Sequence, residues 1–131
     1  MITDPIADLL TRIRNANMRC SKSIEAPFSN LKWQISQVLK EEGYIKTCEQ
    51  LGEKSAKKIK ITLKYTADKK QVISVLRRIS KPGRRVYAAA DDLKRYQGGF
   101  GVILLSTPKG VITDKSAYQQ KVGGEVLFSI G

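Results

Sequence analysis

The stretch 105–114 holds the residues best suited to direct chemistry, and it reads Leu-Ser-Thr-Pro-Lys-Gly-Val-Ile-Thr-Asp. Its candidate ligand-contacting residues are Ser106, Thr107, Pro108, Lys109 and Gly110. Small hydroxyls beside a glycine let the backbone approach a ligand closely, which suits hydrogen bonds to 2′-hydroxyls and base edges in the wide, shallow minor groove of RNA. The stretch lacks the spacing of a nucleotide-binding P-loop, and such a turn taken alone is more often only a turn.

Several kinds of catalysis are excluded by composition. The chain has no histidine, so it lacks the base or ligand for Ser-His-Asp catalysis, Cys-His catalysis and His-containing zinc sites. Cys20 and Cys48 are too few for a structural zinc site and too far apart for a CxxC motif, and we expect reduced thiols in a reducing compartment. Asp91 and Asp92 are better explained as the start of a helical turn than as a catalytic pair. We expect no enzyme activity, no metal and no cofactor.

Charge is concentrated in one quarter of the chain. The 131 residues carry 24 Lys and Arg against 12 Asp and Glu, a formal charge of +12. The 32 residues from Lys54 to Arg85 hold twelve of the bases and one acid, Asp68, for a net +11. These clustered bases repel one another, and a folded chain tolerates them more easily when a polyanion neutralises them. Nucleic acid is therefore the favoured partner, and a solvated basic face is the alternative. A membrane is disfavoured, because no segment combines these bases with a wide apolar helical face.

The N-terminal half alternates helical and strand patterns. The first helix has Asp4 as its N-cap, a proline at its first position and one apolar face at helical spacing. The predicted elements are a helix from Pro5 to about Arg19, a strand Ser23–Pro27, a second helix with Ser29 as its N-cap and Gly43 as its terminator, a strand Tyr44–Cys48 and a strand Lys58–Tyr65. Trp33 lies opposite the apolar face of the second helix, so it packs on another segment of the chain or on a partner.

The strand Lys58–Tyr65 alternates strictly, with Ile59 opening its apolar face. Its other face carries Lys58, Lys60 and Lys64, which repeat at about 6.5 to 7 Å, close to the phosphate spacing of a nucleic-acid strand. A merely solvated strand face has the same pattern, so this observation leaves both interpretations open.

The C-terminal half is predicted to be mainly strand. The polar stretch Thr66–Lys70 could divide the halves, and Gln71–Ser80 fits a helix or a strand. The other predictions are an extended piece Arg84–Tyr87, helical turns over Asp91–Tyr96, a hinge or turn at Gly98–Gly101, a buried strand Val102–Leu105, a short helix Asp114–Gln120 capped by Thr113 or Asp114, and a strand Gly124–Ile130.

Six blocks of the chain, in order, resemble the bacterial-type small-subunit ribosomal protein eight family. They are Asp4–Asn15, Val38–Ile45, Leu63–Tyr65, Ser80–Gly83 with Arg85–Tyr87, Ser106–Asp114 and Gly123–Glu125. Any one block is weak evidence, but six co-linear blocks from residue 4 to the C-terminus are specific.

The resemblance implies an α+β fold, with an N-terminal α-β-α-β-β unit over residues 1–66 packed against a mainly β unit with short helices over residues 70–131. It favours a strand at Gln71–Ser80. It also implies a structural constituent of the small ribosomal subunit, a primary binder of small-subunit ribosomal RNA that docks on a helix of the central domain and promotes assembly of that domain. Neighbouring small-subunit proteins are expected partners, and an mRNA is a further candidate because some members of the family bind one to control their own synthesis.

The resemblance also assigns RNA-binding residues. The loop with Ser106, Thr107, Pro108, Lys109 and Gly110 is expected in the minor groove at an irregular helix core, supported by Tyr87, Gly123, Gly124 and Glu125. The RNA backbone is expected to meet Thr3, Asp4, Pro5, Asn30 and Lys32, with Lys58 adding charge. The N-terminus shows no secretion or import signal, so we expect a cytoplasmic ribosome, or a plastid or mitochondrial ribosome if the chain is organelle-encoded.

Two positions depart from the family pattern. Pro108 replaces a serine common in relatives, which removes one hydroxyl and one backbone N–H. Asn30 replaces a lysine, which removes one phosphate contact. Glu125 either accepts hydrogen bonds from RNA or organises its own loop.

The alternative function is that of a nonspecific basic RNA chaperone. The aromatic residues are scattered without a stacking platform, which disfavours it.

Overall fold

The computed structural model describes residues 4–96 and 101–131. The described chain forms two compact units, Pro5–Ile73 and Ser74–Gly131, and Asp4 belongs to the second. Helix and strand are mixed, with α/β elements first and a mainly β region after them. The predicted α+β class is therefore confirmed. No described helix is long and apolar enough to cross a membrane.

The first unit has the predicted α-β-α-β-β order. Its elements are α1 (Pro5–Met18), β1 (Ser23–Pro27), α2 (Asn30–Glu41), β2 (Ile45–Leu51), a 3₁₀ turn (Lys54–Ala56) and β3 (Lys58–Leu63). The strands form an antiparallel sheet in the order β1-β3-β2. The apolar faces of both helices and of β3 are buried, which the helical and alternating patterns predicted.

A single residue determines each end of α2. The Ser29 hydroxyl accepts a hydrogen bond from the Lys32 backbone N–H at 3.1 Å, so the predicted N-cap is confirmed. After the helix, Gly43 adopts φ +82°, a conformation that glycine reaches without steric cost, and the Tyr44 N–H bonds the Leu39 carbonyl at 2.9 Å. The helical pattern did not predict that Ser36 is buried. Its hydroxyl donates a hydrogen bond to the Lys32 carbonyl at 2.8 Å.

The second unit is built on one antiparallel sheet. Its elements are β4 (Leu76–Arg78), β5 (Tyr87–Ala88), a 3₁₀ helix (Ala90–Tyr96), β6 (Val102–Thr107), β7 (Gly110–Thr113), α3 (Asp114–Gln120) and β8 (Gly124–Ile130). The strand order is β4-β8-β6-β7, and β5 also pairs with β8. The core cluster at the centre of the unit comprises Leu93, Ile103, Leu105, Ala117 and Val126.

Two expectations for this unit need correction. The strand expected over Gln71–Ser80 is confined to Leu76–Arg78, because the Ile79 and Ser80 N–H groups both bond the Leu127 carbonyl and the ladder stops there. The stretch after Leu105 is not a loop leading into a helix, because β6 continues to Thr107 and β7 follows.

Two smaller points concern α3 and the proposed hinge. Of the two candidate caps, Thr113 is the one whose hydroxyl accepts from the Ser116 N–H, at 3.2 Å. Most of the predicted hinge Gly98–Gly101 lies outside the described residues.

Candidate nucleic-acid interface

The hydroxyl-bearing stretch is a tight hairpin between β6 and β7, with Pro108 and Lys109 exposed at its tip. Thr107 pairs with Gly110 across the hairpin. The Thr107 hydroxyl donates to the Gly110 carbonyl at 2.8 Å and accepts from the Lys109 N–H at 3.1 Å. Thr107 therefore holds the turn together. Because Pro108 stands where a turn needs no N–H donor, its lack of one is not a structural cost.

The Ser106 hydroxyl differs from its neighbour. Within the described part of the chain it makes no hydrogen bond, and the residue is half-buried. We call residues 106–110 the hydroxyl hairpin. Thr107 shapes it, and Ser106 offers a donor and an acceptor from it.

Strand pairing brings three distant segments of the sequence into one row. Tyr87 on β5 lies opposite Glu125 on β8, and Glu125 lies opposite Ser106 on β6. Residues opposite each other on antiparallel strands share a face of the sheet. The Tyr87 side chain is 68% exposed, so an aromatic ring and a free hydroxyl flank Glu125 on that face.

Gly123 and Gly124 allow the strands to approach this closely. A Cβ atom on Gly124 would lie 2.2 Å from the Ser106 carbonyl oxygen, and one on Gly123 would lie 2.5 Å from the Ala88 carbonyl oxygen. Both contacts are with backbone, which cannot move aside as a flexible side chain can. These glycines are therefore needed for the packing of β8 between β5 and β6.

The Glu125 carboxylate is held by the protein itself. Its Oε2 atom accepts a hydrogen bond from the Ser80 hydroxyl at 2.5 Å and one from the Arg85 guanidinium at 3.0 Å. Ser80 is fully buried, and its hydroxyl accepts in turn from the Val86 N–H at 3.2 Å. Burial acts to raise the pKa of Glu125, but the hydrogen bonds from Ser80 and Arg85 and the charges of Arg85 and Arg78 together lower it. Of the two roles considered for Glu125, this geometry favours organisation of its own segment.

Replacing Glu125 with glutamine tests that role through pH. A carboxyl group whose pKa is lowered by folding stabilises the protein above its unfolded pKa, near 4.5, and loses that contribution as the pH falls through the folded pKa. We expect Glu125→Gln to lower the free energy of unfolding by about 2 kcal/mol at pH 7. The difference from the parent protein should shrink below pH 4.5, as measured by urea unfolding across that range.

RNA binding by the Glu125→Gln variant is an independent test of the role of Glu125. If the carboxylate faced phosphate, its neutralisation would strengthen binding, most of all at low salt. We expect Glu125→Gln to strengthen binding no more than Glu53→Gln, the same charge change at an exposed position, because Arg85 already pairs with the carboxylate. A clearly larger gain in affinity with Glu125→Gln would contradict the organising role.

Arg78 and Asp4 form the second ion pair of this unit. One guanidinium nitrogen, Nη2, donates to both Asp4 carboxylate oxygens, at 3.1 and 3.2 Å. Burial is the largest influence on Arg78 and lowers its pKa, with the charge of Asp4 opposing it. Pro5 is exposed at the start of α1, and Thr3 lies outside the described residues.

Two candidate residues of the first unit, Asn30 and Lys32, lie in the first turn of α2 and differ in exposure. Asn30 is exposed at the start of α2, whereas Lys32 is only 5% exposed. Burial lowers the pKa of Lys32, against the opposing charge of Asp8. Lys32 thus presents little surface, and Asn30 is the accessible residue of the two.

The lysine face of β3 is more mixed in charge than its own sequence indicates. In the sheet register, Lys60 lies between Glu25 on β1 and Glu49 on β2. Lys58 is exposed and lies between Pro27 and Leu51. Opposite charges across neighbouring strands attract, so this geometry favours a solvated, mixed-charge face over a continuous phosphate track.

Three further observations concern Trp33, the cysteines and metal binding. Trp33 is half-buried and lines a cavity of about 280 Å³ with Gln37, Lys40, Glu41 and Cys48, so it lies against its own chain. Cys20 and Cys48 are free thiols. Over residues 4–96 and 101–131, no three acidic or cysteine side chains are grouped so that they could hold a metal ion.

Sequence reasoning missed Ser80, Arg85 and Arg78 as members of this site. Ser80 and Arg85 lie in one of the six blocks that carry the family resemblance, but nothing local signals that they bond a carboxylate 40 or more residues away. The antiparallel pairing of β5 with β8 makes that contact possible.

These features define a class, the basic α+β proteins whose exposed polar groups suit contact with a polyanion. A family model described as ribosomal protein S8 matches residues 4–130. The small ribosomal subunit protein uS8 of Exiguobacterium sibiricum is 51% identical over 130 residues, which are 99% of this chain and 98% of that protein. The protein of the same name from Bacillus mycoides is 51% identical over 127 residues, or 97% and 96% of the two chains. The chain belongs to the ribosomal protein S8 family.

Proposed function

We propose that this protein is a structural constituent of the small ribosomal subunit, as the names of its relatives indicate for them. In this proposal it binds small-subunit ribosomal RNA directly, docks on a helix of the central domain and promotes assembly of that domain. It works on the ribosome, in the cytoplasm or in an organelle, beside neighbouring small-subunit proteins, and an mRNA is a second candidate ligand. It has no catalytic role.

One observation supports the proposal: Ser106, whose hydroxyl has no partner over residues 4–96 and 101–131, lies in one row across three strands with the exposed Tyr87 ring and the neutralised Glu125. The minor groove of RNA is shallow and displays 2′-hydroxyls, so a short hydroxyl on a rigid hairpin can reach it without a long side chain. Lys109 at the hairpin tip adds attraction to phosphate. Because Arg85 cancels the charge of Glu125, the acid does not repel the RNA.

Recognition in this arrangement depends on the shape of the RNA. A regular helix offers 2′-hydroxyls at a fixed spacing, whereas an irregular core also exposes base edges to the groove. Ser106 can donate to and accept from such edges, and the backbone around Gly110 and Gly124 can approach closely. Affinity comes from the basic residues, and discrimination comes from the hydroxyl hairpin.

The test is a gel-shift titration of the purified protein against two RNA hairpins. One carries the irregular core of a small-subunit central-domain helix, and the other is fully paired and of equal length. We expect the irregular hairpin to bind about a thousandfold more tightly, a ratio typical of specific recognition. Equal binding to both, abolished by salt, would instead indicate a nonspecific basic RNA chaperone.

A further inference from the structure

A tight basic turn lies between β4 and β5. The Lys81 N–H donates to the Arg84 carbonyl at 3.0 Å, and the Arg84 N–H donates to the Lys81 carbonyl at 2.9 Å. Pro82 and Gly83 form the two-residue tip between them. We call residues 81–84 the basic turn.

The charges of the basic turn are not balanced by any acidic side chain that the structure describes. Lys81 and Arg84 are exposed and lie opposite each other across the bridge. Neither forms an ion pair in the described ranges, where Arg85 takes the carboxylate of Glu125. Like charges directly opposite each other are destabilising, and an anion placed against them would relieve that repulsion.

The basic turn is also fixed relative to the hydroxyl hairpin. Before the turn, the Ser80 N–H bonds the Leu127 carbonyl at 3.3 Å and the Ser80 hydroxyl bonds Glu125. After it, the Val86 carbonyl accepts from the Val126 N–H at 2.8 Å. Both ends are therefore tied to three consecutive residues of β8, and the first of these, Glu125, lies opposite Ser106 in the hairpin.

We propose that the basic turn is a second RNA contact, which binds the phosphodiester backbone beside the segment that the hydroxyl hairpin reads. The inference rests on the proposed function, since it places both contacts on one RNA. Its chemistry differs from that of the hairpin, because phosphate contacts position the RNA and carry no sequence information. They contribute equally to an irregular and a regular hairpin, and they weaken as salt rises.

Gly83 offers a probe that leaves the fold intact. A Cβ atom added there would meet nothing within 4 Å, and Gly83 is not among the residues with positive φ. A side chain at this tip therefore reports what approaches the turn from outside. The three probes are Gly83→Glu, Gly83→Gln and Gly83→Lys, which differ mainly in charge.

We expect Gly83→Glu to weaken binding to both hairpins about fivefold at low salt, and Gly83→Lys to strengthen it. Gly83→Gln should bind as the parent does. The matched control is Gln119→Glu, which makes the same charge change at an exposed position of α3. If Gly83→Glu weakens binding no more than Gln119→Glu does, only net charge matters and the inference is overturned.

The salt dependence gives the second measurement. Replacing Lys81 and Arg84 together with glutamine should reduce the slope of log K against log salt by about 1.5, the value for two lost phosphate contacts. The exposed pair Lys69 and Lys70, changed to glutamine, is the control from the same basic segment. A slope that does not change, or that changes equally in both double variants, would contradict a contact at this turn.

The two proposals fail in different ways. The ratio of affinities for irregular and fully paired hairpins, measured on the parent protein, tests the proposed function. The Gly83 variants and the salt dependence of binding test the basic turn. The substitutions in that turn should leave the ratio of affinities unchanged. If the parent protein shows the expected ratio but all three Gly83 variants bind as the parent does, only the inference about the basic turn is overturned.

Discussion

Replacing Ser106 and Thr107 together with alanine is expected to reduce the preference for the irregular RNA hairpin about a hundredfold. Ser106 loses a hydroxyl that has no hydrogen-bond partner among the described residues, and Thr107 loses the two hydrogen bonds that shape the hairpin. Each unsatisfied polar group left in an interface costs about 1 to 3 kcal/mol. Affinity for the fully paired hairpin should change little, because that RNA is bound mainly through phosphate.

Single variants separate the two roles. Ser106→Ala removes a proposed RNA contact and no hydrogen bond among the described residues, so its melting temperature should match the parent's while its preference falls. Thr107→Ser is the matched control, since it keeps the hydroxyl that bonds Gly110 and Lys109, and it should retain most of the preference. If the double alanine variant kept full preference for the irregular hairpin, the hydroxyl hairpin would not be the reading element.

Replacing Gly124 with alanine is expected to have the largest effect on stability. The added Cβ would lie 2.2 Å from the Ser106 carbonyl oxygen and 3.0 Å from the Thr107 methyl group. Since one of these contacts is with backbone, β6 and β8 must separate where Ser106 pairs with Glu125. We expect the free energy of unfolding to fall by about 3 kcal/mol, as measured by urea denaturation, with loss of specific RNA binding.

Gly83→Ala is the control for this change. It makes the same chemical substitution where a Cβ meets nothing, so stability should stay within about 0.5 kcal/mol of the parent. A Gly124→Ala protein as stable as Gly83→Ala would mean that the two strands tolerate a wider spacing. The account of the glycines as packing residues would then be wrong.

Local patterns in the sequence were sufficient for most of the first unit. Ser29 and Gly43 bound α2 because a cap hydroxyl and a left-handed glycine act within a few residues of themselves. The alternation in β3 predicted its buried face for the same reason, since side chains on a strand point to opposite sides in turn. The ion pair between Asp8 and Arg12, at 3.0 Å, is local in the same way, since residues four apart on a helix are neighbours.

The C-terminal unit depended more on long-range pairing. β7 was missed because its four residues are too short to show a period, and they form a strand only by pairing with β6. Gln71–Ser80 fitted two patterns, and its strand is limited to the three residues that pair with β8.

In the candidate site, too, some features could be predicted from the local sequence and others depended on strand pairing. From the sequence alone, the residues 106–110 and 123–125 could be named, and the basic segment from Lys54 to Arg85 could be seen. Only the tertiary structure decided that Glu125 accepts a hydrogen bond from Ser80 and is neutralised by Arg85, and that Lys60 lies between two glutamates. Periodicity and capping act over a few residues and can therefore be predicted from the local sequence. Which charges meet depends on strand register, and register is set by the packing of the whole sheet.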